Sequence, residues 1–311
     1  KKAGTLNLTQ IKPPKSKSLF DPEDDKDQLE KILDQQIKEL FKLTEKFGKT
    51  NQRGEIWLRL AELYVEKAGL IDFRLQNEFD AKLIDYQSGK TKIKSTLDLR
   101  EAHEYSRKAI RLYEGFLQDF PKDPKVDQAL FFLGYNYYEI KALAKGTYYY
   151  GKLIKEFPSS PYIIETKFAL AEYYFENEKW SLARENYAAV LRSKTHRLYN
   201  FALYKYSWSY FRGGDTKMAL KWMDFLIRKN QQLSREADQG RKSIGKTRLG
   251  NEALRDIVFM YAESGDASKA PAYFKSIAGK EANNYLEKLA YYYADKGEIQ
   301  STKDVFKYLI N

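Results

Sequence analysis

The sequence predicts an all-α protein, a right-handed α-solenoid of about six helical pairs with an N-terminal helix and a long protruding helical hairpin. Three observations favour this fold. Apolar residues recur at spacings of three and four along most of the chain, which is the helical period. A fixed skeleton of residues returns several times, and turns that contain glycine separate the apolar segments.

The repeated skeleton is clearest in the segment that begins at Leu130. Two apolar residues, Leu130 and Leu133, precede the small residue Gly134, and Tyr137 follows three positions later. A second small residue, Gly146, comes nine positions after that tyrosine. Other copies pair Ala61 with Tyr64, Ala171 with Tyr174, Ser207 with Tyr210, Val258 with Tyr261, and Ala290 with Tyr293. Six copies in one register predict stacked helical pairs.

These residues resemble the tetratricopeptide repeat (TPR) family, in which each unit is an antiparallel pair of helices, A and B. The resemblance implies a TPR-type solenoid in which the small residue lets helix A approach helix B closely. The segments "IWLRLAELYVEKA", "FFLGYNYYE", "FALAEYYFE" and "NEALRDIVFMYAESGD" look like periplasmic TPR proteins of deltaproteobacteria, including those associated with gliding motility. That closer resemblance implies a scaffold of the cell envelope.

The first repeat copy carries an insertion. In the other copies, the small residue of helix B follows the tyrosine by nine positions. After Tyr64, the alanine that fits this role is Ala109, 45 positions later, so the first copy contains 36 extra residues (45 minus 9). The apolar spacing stays helical and one Ser88-Gly89-Lys90 turn interrupts it. We therefore predict a helical hairpin over about 65–108 whose return helix contains Ile93 and whose arm is about 25 Å long.

The other boundaries follow from the repeats and from shifts in composition. The predicted order is an extended tail (1–24), an N-terminal capping helix (25–50), an atypical TPR unit with the hairpin (51–125), three regular units (126–231), a basic insertion (232–250) and two C-terminal units (251–311).

Composition narrows the class of protein. The chain of 311 residues has no cysteine, which excludes disulfides and thiolate chemistry and favours an oxidising compartment such as the periplasm. Because it begins with Lys1, we expect that a signal peptide, or an envelope anchor, preceded it. No apolar run reaches the roughly eighteen residues of a transmembrane helix. The net charge of +11 reflects either solvated lysine-rich faces or an anionic partner.

Motifs for chemistry are weak. The segment Gly240–Thr247 matches the P-loop pattern G-x-x-x-x-G-K-[ST], but the polar stretch "NQQLSREADQ" before it cannot form the buried strand that such a loop needs. The histidines His103 and His196 have no second ligand or nucleophile spaced with them. We predict no enzyme activity, cofactor, metal site or nucleic-acid binding.

The aromatic residues left over from the repeat skeleton predict a binding groove. Positions in helix A are numbered so that the four skeleton residues, Leu130, Leu133, Gly134 and Tyr137 in the clearest copy, are positions 4, 7, 8 and 11. By the geometry of the repeat, positions 2, 5, 9 and 12 then face the concave groove. The predicted groove residues are Phe131, Tyr135, Tyr138, Phe168, Glu172, Phe175, Tyr204, Trp208, Phe211, Arg212 and Phe259. Alternatively, these rings pack against neighbouring helices or the chain's own tail covers them. If the groove is right, Trp208→Ala should weaken binding while Tyr210→Ala disrupts folding.

The leading hypothesis is a non-enzymatic protein–protein interaction scaffold of the bacterial envelope. Its groove would receive a peptide or helix segment of another protein, because rigid aromatic rings are effective anchors, and a second component could bind the arm. The rim residues Glu139, Glu172 and Arg212 would set polarity and register. The alternative is a binder of an anionic cell-wall or lipid polymer through basic surfaces.

Overall fold

A computed structural model describes residues 26–47, 50, 52–238 and 249–310, and within these residues it contains helices and no strand. The α-helices are α1 (Lys26–Lys46), α2 (Arg53–Gln87), α3 (Arg100–Asp119), α4 (Val126–Glu139), α5 (Leu143–Glu156), α6 (Ile163–Glu176), α7 (Trp180–Val190), α8 (Tyr199–Arg212), α9 (Thr216–Asp238), α10 (Leu249–Ser264), α11 (Ala270–Ala278), α12 (Ala282–Asp295) and α13 (Ile299–Ile310). After the N-terminal helix α1, the other twelve form six consecutive pairs, α2/α3 to α12/α13. The predicted all-α fold of about six helical pairs is confirmed.

Some predicted segments lie outside the described residues. These are the tail 1–24, the P-loop match at 240–247 and most of the basic insertion 232–250. Helix α9 continues through the first part of that insertion as far as Asp238. Among the described helices, none combines the length and the apolar character needed to cross a bilayer.

The chain divides into two compact units, which meet in sequence within α6, at Thr166 and Lys167. In the first unit, α4 packs on α5 around the small residue of the repeat. A Cβ atom added to Gly134 would come within 2.5 Å of the Tyr150 ring, which is closer than real side chains tolerate. The close approach of helix A to helix B at this position, expected from the TPR resemblance, is therefore confirmed for this pair.

The inserted arm is formed by the distal part of α2 and by the chain that returns to α3. Every residue from 72 to 101 retains some exposure, whereas Ile71 and Ala102 on either side are buried. Gly89 turns the chain after α2 with a φ of +76°, a conformation that glycine adopts without strain.

The return helix of the arm is shorter than the sequence suggested. It begins at Arg100 and not near Ile93. The Asp98 carboxylate accepts a hydrogen bond from the Arg100 backbone N–H at 3.0 Å, which marks the start of the helix. Ile93 is 77% exposed and Leu97 is 40% exposed. A helix through them would bury no apolar face, and such burial is the main source of helix stability in proteins.

The N-terminal helix α1 is attached to α2 through one buried side chain and a set of ion pairs. Leu33 is buried. The ammonium of Lys67 on α2, itself 3% exposed, lies 2.9 Å from carboxylate oxygens of both Glu30 and Asp34. Burying that lysine is tolerated because the two carboxylates compensate its charge.

The second unit has one continuous core that runs through α8 to α13. Its fully buried members include Met223, Ile257, Phe274, Leu289 and Val305. The pair α8/α9 repeats the close contact of the repeat pattern, since the Ser207 hydroxyl donates to the Ala219 carbonyl at 2.6 Å.

Candidate functional site

Five of the predicted groove residues are buried, which corrects their assignment as partner-binding residues. They are Phe131, Tyr138, Phe168, Glu172 and Trp208, with exposures between 1% and 8%. Side chains at this level of burial contact their own unit and have almost no surface left for a partner.

In the first unit, the two buried rings pack on neighbouring tyrosines. Phe131 stacks on Tyr162 with ring centroids 4.8 Å apart. Tyr138 packs against Tyr150 at 5.4 Å, and its hydroxyl lies 2.9 Å from that of Thr147. The assignment from repeat position fails for Phe131 because Tyr162, in the connection to the next repeat, covers its ring. It fails for Tyr138 because that ring faces α5 of its own helical pair.

On helix α4, Tyr135, predicted in the groove, and Glu139, predicted at its rim, are both partly buried. The Tyr135 hydroxyl hydrogen-bonds to the Glu139 carboxylate. The pKa of Glu139 is raised to about 7. Burial is the main cause, and the nearby negative charge of Asp72 on α2 is the second. Glu139 is therefore a carboxyl group that titrates near neutral pH.

In the second unit, Glu172 belongs to a buried ion pair. Its carboxylate accepts a hydrogen bond from the Lys205 ammonium at 2.9 Å and another from the Tyr187 hydroxyl. Phe168 packs edge-on to Tyr187 at 5.9 Å, and the Phe175 ring lies 4.7 Å from the Lys205 nitrogen. Glu172 thus holds α6, α7 and α8 together and cannot form the rim of a binding site.

Three of the predicted residues that keep some exposed surface lie on two helices of the second unit, Tyr204 and Phe211 on α8 and Phe259 on α10. Trp208, which is buried, packs against both of the α8 rings. Tyr204, Trp208 and Phe211 recur at spacings of four and three, so they form one stripe along α8. Asp256 and Phe259 are three apart and share a face of α10. We call these five residues the α8–α10 aromatic surface.

One carboxylate joins the two helices of this surface. The Trp208 indole N–H donates to Asp256 Oδ2 at 3.1 Å, and the Tyr204 hydroxyl donates to the same oxygen. Burial raises the pKa of Asp256 above its usual value, and burial with the Asp256 hydrogen bond raises that of Tyr204. Tyr204 therefore stays protonated and keeps its hydrogen bond to Asp256. Because the Trp208 and Tyr204 hydrogen bonds both end on Oδ2, neither of them uses the other carboxylate oxygen, Asp256 Oδ1.

The outer part of the surface is apolar with a cationic edge. Phe259 is 40% exposed and packs edge-on against Tyr292 of α12 at 5.1 Å. Phe211, half-buried, packs edge-on against Trp208 at 5.5 Å, and the exposed guanidinium of Arg212 lies 5.8 Å from the Trp208 ring. These groups offer aromatic contact, one oriented carboxylate and one cation, which is the chemistry of recognition.

The sequence did not single out Asp256 or Lys205, although both organise the second unit. The signal for Asp256 was its place as an acid inside the apolar run "LRDIVFMY", on the same helical face as Phe259. Lys205 carried a similar signal between the tyrosines of "LYKYSW". Within the part of the chain that the structure describes, no three His, Asp or Glu side chains are grouped to hold a metal ion.

Comparisons with known proteins give distant structural likenesses. No protein-family model and no curated protein matches the sequence. A solved structure described as MamA MSR-1 C2 has 15% identity and a TM-score of 0.41, with 69% of this chain and 98% of that chain covered. Two Podosopora anserina structures assigned to a kinesin light chain with nearly identical TPR-like repeats have TM-scores of 0.42. Their identities are 13% and 14%, and the alignments cover 73% and 72% of this chain and 98% and 97% of theirs. TM-scores this low carry no conclusion about fold or function.

Proposed function

We propose that this protein is a non-enzymatic TPR-type scaffold and that the α8–α10 aromatic surface binds a segment of a partner protein. The observation that carries the proposal is the arrangement of Tyr204, Trp208 and Asp256. Three groups from two helices are fixed by mutual hydrogen bonds beside a phenylalanine, Phe259, that remains 40% exposed.

Rigid aromatic side chains favour binding because little conformational entropy is lost when they are covered. The inner rings are already immobilised by Asp256, so a partner would have to order only its own segment. Phe259 and Phe211 would supply the apolar contact, and Asp256 Oδ1 and Arg212 would accept and donate hydrogen bonds that fix the direction of the segment.

A peptide-display selection on the full chain tests this proposal. Selected peptides are labelled, and their dissociation constants are measured by fluorescence anisotropy for the wild type and for Phe259→Ala. The expected loss is about 2 kcal/mol, roughly thirtyfold in affinity, if Phe259 is an anchor. The matched control is Phe225→Ala on α9, since Phe225 is 45% exposed and lies outside the surface.

Two outcomes would oppose the proposal. If the selection yields no peptide, or if the selected peptides bind Phe259→Ala as tightly as the wild type, the aromatic surface is not a binding site. Binding that survives moderate salt is also expected, because aromatic contacts are not screened. A steep decrease with salt would instead favour the alternative, binding of an anionic polymer.

The location belongs to the same proposal: the periplasmic side of a bacterial envelope. Support comes from the absence of cysteine in the sequence and from the resemblance to periplasmic TPR proteins described above. Fractionation of the source cells with antibody detection would test it, and recovery in the cytoplasm would refute it.

A further inference from the structure

The tip of the arm exposes apolar side chains to an unusual degree. Ile84 near the end of α2 is 62% exposed, and Ile93 in the following connection is 77% exposed. The two lie at the same end of the arm, because Thr91 folds back to donate its backbone N–H to the Asp85 carbonyl at 3.3 Å. Ile93 follows two residues later and donates its own N–H to the Thr91 hydroxyl at 3.1 Å.

The same tip is strongly basic. Within residues 82–94 the charged side chains are four lysines and one aspartate, a net charge of +3 (4 minus 1). Lys82, Lys90, Lys92 and Lys94 are all exposed. The single acid, Asp85, is paired with Lys90 at 3.1 Å. Exposed isoleucines among lysines are unfavourable in water.

We propose that the tip of the arm, residues 82–94, docks on the surface of an anionic lipid bilayer. The lysines would approach the lipid phosphates, and Ile84 and Ile93 would enter the boundary between headgroups and acyl chains. This site is separate from the α8–α10 aromatic surface and does not depend on the proposed partner binding.

A lipid surface fits the tip better than an acidic protein does. A specific protein interface covers roughly 800 Å² on each partner and requires complementary shape. Ile84 and Ile93 alone are a small apolar patch for the core of such an interface, and lysine is depleted in protein interfaces. A bilayer requires no shape complementarity, and it accepts apolar side chains next to anionic groups.

Vesicle sedimentation with the full chain tests the proposal. The wild type is mixed with phosphatidylcholine–phosphatidylglycerol vesicles and with pure phosphatidylcholine vesicles, and the bound fraction is measured. We expect binding only to the anionic vesicles. Replacing Lys90, Lys92 and Lys94 with glutamine should weaken it by roughly fivefold per lysine, and Ile84→Ser with Ile93→Ser should weaken it by about tenfold per isoleucine.

Controls of equal exposure lie in the second unit. Ile299→Ser changes an isoleucine that is 67% exposed, and the Gln substitutions of Lys217, Lys221 and Lys275 remove the same number of exposed charges. These controls should bind as the wild type does. Circular dichroism should show an unchanged fold for the tip variants, because no residue of the tip is buried.

Each of the other results would overturn the proposal. Absence of binding to anionic vesicles excludes the bilayer as the ligand. Equal losses in tip and control variants would show that net charge alone drives binding. If the lysine variant loses binding and the isoleucine variant does not, the tip is held at the vesicle surface by charge alone, and the proposed entry of Ile84 and Ile93 into the bilayer is wrong.

Discussion

Removing the ammonium of Lys205 while keeping most of its unbranched side chain should destabilise the second unit strongly. The Lys205 nitrogen lies 2.9 Å from Glu172, and the two residues are 3% and 1% exposed. In Lys205→Met the carboxylate keeps only the hydroxyl of Tyr187 as a hydrogen-bond donor from this network. An uncompensated buried charge remains, and its expected cost is about 3–5 kcal/mol at neutral pH.

The pH dependence of this cost separates charge from packing. Burial already raises the pKa of Glu172 above its ordinary value of 4.5, although Lys205 opposes the shift. Without Lys205 the pKa in the folded state rises further, so the folded protein binds a proton that the unfolded chain releases. Stability is therefore retained at low pH and lost as pH rises above 4.5. The difference between variant and wild type should be larger at pH 8 than at pH 5.

Urea unfolding followed by circular dichroism measures these free energies. The rescue variant is Glu172→Gln with Lys205→Met, which keeps an acceptor for Tyr187 and leaves no charge in the core. It should recover most of the loss, because a neutral hydrogen-bonded pair costs little in such a site. The matched control, Lys221→Met, removes an exposed charge from α9 and should stay within about 0.5 kcal/mol of the wild type.

Two results would refute this reasoning. If Lys205→Met costs less than about 1 kcal/mol at pH 8, water reaches Glu172 and the pair is not buried in solution. If the double variant is no more stable than Lys205→Met, the cost comes from lost packing and not from the unpaired carboxylate.

Three other substitutions test separate parts of the structure by urea unfolding. Glu139→Gln should stabilise the protein by up to about 3 kcal/mol at pH 8 and be nearly neutral at pH 4.5. The reason is that the pKa of Glu139 is about 7 in the folded state, so ionising this carboxyl group costs stability as pH rises. An effect that is constant across this pH range would refute the prediction. Replacing residues 74–99 with a short loop should leave the unfolding of the rest cooperative, because no residue in that range is buried; broadened unfolding would show that the arm supports the core. Trp208→Ala should cost about 3–5 kcal/mol of stability, which is more than Tyr210→Ala should cost. Trp208 is only 8% exposed and is hydrogen-bonded to Asp256, whereas Tyr210 is half-buried. The reverse order of costs would favour the groove predicted from sequence.

The repeat skeleton could be predicted from sequence because it is set by local geometry. A small residue at Gly134 and the apolar residues around it have one function, the packing of helix A on helix B, and the structure places Tyr150 against that glycine. Spacings of three and four identified the helices for the same reason. The start of α3 could not be predicted in this way, since Ile93 and Leu97 continue the helical spacing but have no surface to cover them.

The candidate site was harder to predict, because burial depends on neighbouring helices that the position rule does not include. Trp208 was expected on a binding surface and Tyr210 in the core, yet Trp208 belongs to the core of the second unit and Tyr210 is half-buried beside Arg184. The decisive residue is Asp256, which lies 48 positions after Trp208 in the chain. A contact over that separation leaves no trace in the spacing of either helix.

The two proposed surfaces can be separated by ionic strength. The tip at 82–94 would bind through lysines, whose attraction to anionic lipid falls as the Debye length shortens from about 10 Å at 0.1 M salt to about 3 Å at 1 M. The α8–α10 aromatic surface would bind mainly through Phe259 and Phe211, and apolar contacts do not weaken with salt. Raising the salt should therefore release the protein from vesicles while peptides stay bound to the second unit. Release of both together would mean that one electrostatic surface accounts for all binding, and the assignment of two sites would then be wrong.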